Sequence, residues 1–473
     1  MKTKFPTDIG GTILYASLVA VCFLYTGSAY MSQFYRLMPH FEASAVDMIT
    51  SCLNYALQAA GILLFSIGLK FKPDFFGAPC FLTVSLLAGL PFMIMMQLAS
   101  SSTMILAAGS VFQLLIGVYM AGYHVLFARH VPIRYAALAY GVAYALGSVG
   151  TYMLSLFGAG AFLTSKGIAV LYIALALLAV GLVEWGRRKA ESAPVRAETD
   201  VSNHTAAAAS DPSVMAASDA SGKSIPQLAA IVLVMMVISV LGSGLYYSLP
   251  QAANVNWNLI RAFYAVGLIG AGAVMNRKRW LGEILAAASL VYPLIAFSLI
   301  GEGLNNTVTL AFSYLFRGCL TVYYIISFTD IAATVPGKLH VASLGLLISR
   351  VTEAVLTLIL MVFAVPNLVQ ILIMALFTIP LIWLIVVRQK KQTLPAPAPI
   401  SEQTQKALFD EKYQLTRRES EILSLMAEGL TDDEISSRTH ISRNTVRFHV
   451  SNILKKTGTA SRVEAVRALQ KFS

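Results

Sequence analysis

The chain has 473 residues, 57% hydrophobic and only 12% charged, with a mean hydropathy of +0.68. A water-soluble domain carries about 25% charged residues and cannot bury this much apolar side chain, so a purely soluble globular protein is excluded. The formal net charge of +11 suits an anionic partner, and lipid headgroups and nucleic acid both qualify.

A membrane-spanning helix needs about 20 mostly apolar residues. Six such runs are predicted at 9–34, 47–69, 76–99, 103–127, 135–157 and 167–185. The first of them is longer than the roughly 7–15-residue core of a secretory signal and lacks a cleavage site, so it reads as a retained span. Residues 186–226 are charged, rich in small residues and without apolar period, which predicts a disordered connector between a first membrane half (1–185) and a second (227–387). The second half holds six more runs, at 227–249, 258–275, 281–300, 306–328, 341–364 and 367–387. Cys22, Cys52, Cys80 and Cys319 all fall in apolar runs, with no metal or disulfide spacing, and read as small core residues.

Basic residues cluster on alternate loops. Lys2, Lys4, Lys70, Lys72, Arg129, Arg134, Arg187, Arg188, Lys189, Arg277, Lys278, Arg279, Lys338, Lys390 and Lys391 fall on the side of the N-terminus, against Arg36, Lys166 and Arg261 on the other. Positive loops stay in the cytoplasm, so both termini are expected there. Six spans, a long connector and six more resemble the major facilitator superfamily, whose two halves are related repeats. The loop after the second span, Gly68-Leu69-Lys70-Phe71-Lys72-Pro73-Asp74, keeps the basic residues of that family's signature but not its full pattern. A pure sensor is therefore favoured over a working transporter.

Ionisable side chains inside a span are costly and each marks a candidate site. Arg317 falls mid-way along the tenth span, and Arg350 and Glu353 mid-way along the eleventh at i and i+3. A structural ion pair between the two helices is one reading. The other is that the surplus cation binds an anionic small molecule, with Asn54, Gln58 and Gln113 from the first half and Tyr246 and Tyr247 near the outer mouth. Arg36, Glu42, Asp47 and Arg261 are expected at the outer interface. No HExxH, GxSxG, Walker loop or paired-cysteine motif is present, so neither an enzyme nor a cofactor is expected.

A Pro-rich linker is predicted at 388–408, stiffened by the alternating Pro395, Pro397 and Pro399. Residues 409–473 then read as a small soluble domain. Thr416 with Glu419, Thr431 with Glu434 and Ser461 with Glu464 have capping-box spacing, Ser442 suits a further N-cap, and Gly429 and Gly458 suit helix ends. Four helices follow, at 417–428, 432–439, 443–457 and 462–471. Their apolar positions, from Ile422, Leu423 and Met426 to Val446, Val450, Ile453, Val463, Val466 and Leu469, form one core. A short helix, the turn His440-Ile441-Ser442 and a longer helix follow the helix-turn-helix plan. Residues 438–473 hold eight Lys and Arg against one acid, Glu464, whereas 401–437 hold four against nine. The basic half is the one suited to phosphates.

The segment resembles the LuxR-type (GerE-like) DNA-binding domain. The likeness runs through Leu415-Thr416-Arg417-Arg418-Glu419, Ala427-Glu428-Gly429-Leu430, Glu434-Ile435, Thr445-Val446-Arg447, His449, Asn452-Ile453, Lys455-Lys456, Gly458 and Arg462-Val463-Glu464-Ala465-Val466. It implies that Arg447, Phe448 and Ser451 read bases, that Thr445, His449 and Lys455 hold phosphates, and that Arg443 and Asn444 share that face. It also implies dimers on DNA through the fourth helix. Asp432-Asp433 stands where the family often has Asn-Lys, which predicts a lost phosphate contact. The fold class expected is all-α, twelve spans in a six-plus-six major-facilitator-like bundle with a C-terminal LuxR-type helix-turn-helix domain. The function expected is transcription regulation in response to a small molecule. A transporter with a fused regulatory domain, or a regulator released by proteolysis of the linker, are the alternatives.

Overall fold

The computed structural model describes residues 7–159, 165–191, 225–247, 257–299, 306–393, 406 and 409–470. Every regular element among them is helical. The chain divides into two compact units, Met1–Ile385 and Val386–Ser473, each with its own apolar core.

The first unit is a bundle. We number its helices α1 (Thr7–Leu37), α2 (Ala43–Phe71), α3 (Pro79–Leu98), α4 (Ser102–His130), α5 (Ile133–Ala159), α6 (Ser165–Glu191), α7 (Ile225–Tyr247), α8 (Trp257–Arg277), α9 (Leu281–Leu299), α10 (Asn306–Thr334), α11 (Leu344–Phe363) and α12 (Asn367–Thr393). Eleven stretches among the described residues are long and apolar enough to cross a membrane. The remaining helix, α9, is apolar over Leu281–Ala296 and packs on α7 and α10. Such a bundle makes the chain a multi-pass membrane protein, because only lipid can accept the apolar side chains it leaves exposed, among them Leu64, Val84, Leu146, Leu177 and Trp383.

The packing repeats after six helices. The pairs α1·α5, α2·α4 and α3·α4 recur as α7·α11, α8·α10 and α9·α10. The contacts between halves, α2·α11 and α5·α8, exchange under the same shift. Local detail follows the repeat. Pro91 in α3 and Pro293 in α9 occupy the same position in their helices. A Cβ at Gly61 would stand 2.0 Å from the Leu114 carbonyl oxygen, and one at Gly267 would stand 2.0 Å from that of Leu315. Small residues therefore let α2 meet α4, and α8 meet α10, backbone to backbone.

Three expectations need correction. Helix α6 continues to Glu191, past the expected boundary at 185, because Glu184 pairs with Arg187 and Arg188 at i+3 and i+4 and carries the helix beyond its apolar stretch. Helix α12 likewise runs to Thr393, into the expected linker, since nothing before Pro395 breaks it. Cys80 is exposed at the first turn of α3 rather than in the core. The connector residues 192–224 and the linker residues 394–405 lie outside the described residues.

The second unit contains α13 (Arg417–Ala427), α14 (Asp432–Thr439), α15 (Arg443–Thr457) and α16 (Arg462–Gln470). Thr416 and Thr431 each accept from the backbone N–H three residues on, and Glu419 and Glu434 return the bond, so both capping boxes form. At α16 the motif is shifted: Ser461 Oγ accepts from Glu464, but the Glu464 carboxylate takes the Ala460 N–H. The core holds Ile422, Leu423, Met426, Ile435, Val446 and Ile453 as expected, and adds Phe409, Leu425 and Ala465. Val463 is not part of it; it is 60% exposed.

Candidate nucleic-acid interface and ligand cavity

In the second unit, α15 buries Val446 and Ile453 against α13 and α14. Helical geometry then turns Arg443, Asn444, Arg447, Phe448, Ser451 and Lys455 outward, and all six are exposed. Phe448 is 63% exposed, an aromatic ring presented to solvent. Thr445 and His449 are half-buried at the edge of the face. Thr445 Oγ1 lies 2.8 Å from the capping hydroxyl of Ser442, and the His449 ring meets Phe448 edge-on.

The turn before α15 is set by His440, whose φ of 54° places it in the left-handed region, and by Ser436 Oγ donating to the Ile441 carbonyl at 2.6 Å. Lys456, beside that outward face, turns its ammonium towards α13. Its Nζ donates to the buried Glu419 carboxylate at 2.7 Å and to the Gln414 carbonyl at 2.9 Å. Burial pushes the Glu419 carboxyl up, but the bonds from Lys456 and Thr416 outweigh it and hold the group below its ordinary value. Bonds from the Thr431 backbone and hydroxyl hold Glu434 low as well. Asp432 and Asp433, at the start of α14, lie beside the arginines: Asp433 Oδ1 is 3.2 Å from Arg443 Nε, and Asp432 Oδ2 is 3.5 Å from Arg447 Nε.

In the bundle, a cavity of about 320 Å³ lies between the halves. Glu353 binds two arginines, one on each oxygen: Oε1 accepts from Arg317 at 2.9 Å and Oε2 from Arg350 at 3.0 Å. Arg317 also donates to Ser243 Oγ at 2.5 Å, and Arg350 lies over the Tyr55 ring at 4.7 Å. Arg261, expected at the outer interface, lines the cavity and stacks on Tyr152. The charged residues lining the cavity are thus three arginines and one glutamate. Tyr30, Tyr55, Tyr144, Tyr264, Tyr314 and Tyr324 supply much of the remaining wall. A second cavity of about 730 Å³ shares Tyr55, Arg317 and Glu353 and extends past Asp47 towards Gln370. At the end where α1 starts, the halves are tied by Arg279, which pairs with Asp330 at 2.9 Å and donates to the Ile133 carbonyl at 2.6 Å, and by Ser66 against Ser343.

Gln58 lines the central cavity, but Asn54 and Gln113 do not. They form a buried amide network with Gln33, whose Oε1 accepts from Asn54 at 3.1 Å and from Gln113 at 2.8 Å, while Gln58 donates to Gln113 at 2.7 Å. Tyr246 and Tyr247 end α7, and their side chains lie outside the described residues. The sequence reading missed Gln33 and the tyrosine wall. Gln33 had a usable signal, a lone amide in an apolar run; the tyrosines had none, being common in membrane helices.

Residues 413–469 match the sequence profile described as bacterial regulatory proteins, luxR family. Over 52 residues, 11% of this chain, the sequence is 48% identical to the probable transcriptional regulatory protein SgaR of Hyphomicrobium methylovorum and 52% identical to the response regulator protein VraR of Staphylococcus aureus. The chain spans about a quarter of the length of these curated relatives. Among solved structures, a single-site variant of the E. coli fucose:proton symporter FucP aligns with a TM-score of 0.50 at 13% identity, covering 80% of this chain and 99% of that one. FucP in its outward conformation aligns with a TM-score of 0.50 at 11% identity, over 78% and 98%. At such identity the likeness is one of fold, and only the bundle is large enough to supply it. The chain joins a major-facilitator-like membrane bundle to a C-terminal LuxR-type helix-turn-helix domain.

Proposed function

We propose that the protein is a membrane-held transcription regulator in which the bundle binds a small molecule and the C-terminal domain binds promoter DNA. The observation that carries this reading is the outward face of α15. Its arginines, lysine and aromatic ring stand on a helix fixed by its own buried side, in a domain similar to those of bacterial transcription regulators. Arg443, Asn444, Arg447, Phe448 and Ser451 face the bases, and Thr445, His449 and Lys455 face the phosphates. The Lys and Arg bias between loops supports cytoplasmic termini, hence access to DNA. The exposed Val463 on α16 supports pairing of two such domains on DNA.

The ligand is anionic. Three arginines against one glutamate leave the cavity with surplus positive charge, and a carboxylate or phosphate can replace Glu353 on either arginine. That exchange gives the ligand different contacts in two arrangements of α10 and α11, which is what a conformational response requires. The test is to record regulation by Arg317→Gln and Arg350→Gln variants that remain in the membrane. Loss of response in either supports the cavity as the sensor, and full response in both contradicts it. The second reading, a transporter with a regulatory domain, is favoured by one observation: the cavity sits between two repeat-related halves. Uptake of the inducer into sealed vesicles separates the two.

A further inference from the structure

The acids that open α14 stand against two of the side chains assigned to reading DNA. We propose that Asp432 and Asp433 are built-in counter-ions for Arg447 and Arg443, which lower the affinity of the domain for DNA of any sequence. The inference rests on the assignment of α15 as the reading helix.

Asp433 stands 3.2 Å from Arg443, and Asp432 stands 3.5 Å from Arg447. Both arginines are more than half exposed, so each pair is screened by water and holds its arginine by about fivefold or less. Release is therefore cheap, and each acid is compensated after it. Asp432 also accepts from Arg462 at 2.6 Å, so it stays paired when Arg447 turns to DNA. Asp433 remains in the first turn of α14, where the helix dipole favours negative charge. That turn carries Asp432, Asp433 and Glu434 together. A helix N-terminus beside a reading face would ordinarily accept a phosphate; here three carboxylates occupy the place and repel one. The acids thus act twice, by occupying the arginines and by removing a phosphate contact, and both costs fall on every duplex that meets this face.

The test uses the full chain in lipid nanodiscs and a mixed-sequence duplex of about 40 base pairs, with affinity measured at salt from about 50 to 200 mM. Asp433→Asn is the primary variant, because Asp432 also anchors Arg462. It is expected to bind about three- to fivefold more tightly at the lowest salt, with a log affinity–log salt slope steeper by about one. The Asp432→Asn, Asp433→Asn double variant is expected to gain about tenfold, and Asp433→Glu to bind as the parent does. Unchanged affinity and slope in both Asn variants would overturn the inference. So would weaker binding by Asp433→Asn, which would mark Asp433 as a base contact. If parent and variants alike fail to bind, the reading of α15 falls and this inference falls with it.

Discussion

The proposed function gives neighbouring side chains of α15 separable duties. Arg447 is exposed at the centre of the reading face and Lys455 at its C-terminal end. Arg447→Ala is predicted to flatten sequence preference, at a cost of about 1–3 kcal/mol for the preferred base, whereas Lys455→Ala should weaken binding to all sequences alike and reduce the salt slope by about one. Competition binding against scrambled duplexes at several salt concentrations distinguishes them; equal losses of specificity in both variants would contradict the assignment. Lys456, one residue on, is committed to Glu419. The Glu419 carboxyl is held low in the folded domain, so the unfolded chain binds the extra proton on acidification. Stability from this group is present above the ordinary carboxylate pKa and is lost as pH falls through the lowered folded value. Glu419→Gln should therefore reduce the acid sensitivity of unfolding, followed by circular dichroism from neutral pH downward; an unchanged pH profile would count against the Lys456–Glu419 bond. These residues were legible from motif spacing. The pairing of Asp432 and Asp433 with the arginines was not, because it depends on how α14 and α15 cross.

Among elements, the second unit was read almost completely from local signals. Caps, helix-ending glycines and apolar period all act within a few residues, and α13 to α15 begin where the caps put them. Thr431→Ala removes one capping box and should lower the domain's stability by about 1 kcal/mol in urea unfolding. Phe409 escaped because it lies before the first cap and joins the core through tertiary packing alone. The bundle was legible as twelve apolar runs, but two of its features were not. One is the π-helical turn Ile49–Leu53 inside α2, just before Tyr55, where the Thr50 carbonyl accepts from Tyr30 at 3.2 Å. The other is the backbone approach at Gly61 and Gly267. Gly267→Val would force α8 from α10 at a cost of about 1–3 kcal/mol or more, read as loss of protein from the membrane fraction. Normal accumulation would show the two helices to be less tightly apposed than described.

At the scale of the molecule, the two halves of the bundle have diverged in chemistry while keeping one packing plan. The first half buries amides, Gln33, Asn54, Gln58 and Gln113; the second buries Glu353 and pairs it with the partly exposed Arg317 and Arg350. The sequence exposed Asn54, Gln58, Gln113 and the ionic set, but not Gln33, to which Asn54 and Gln113 both donate instead of lining the cavity. A sensor needs only a change of balance between two arrangements, and a ligand shifts that balance by no more than its difference in affinity for them. Under the proposed function, the C-terminal domain binds DNA while its own chain is held in the membrane. The most direct measurement is to crosslink DNA to the intact, membrane-embedded chain in living cells and sequence what is recovered. The account predicts a small set of enriched sites, with enrichment abolished by Arg447→Ala while the protein remains in the membrane. Recovery of the same sites at the same level with Arg447→Ala, or no enrichment with the parent chain, would contradict it.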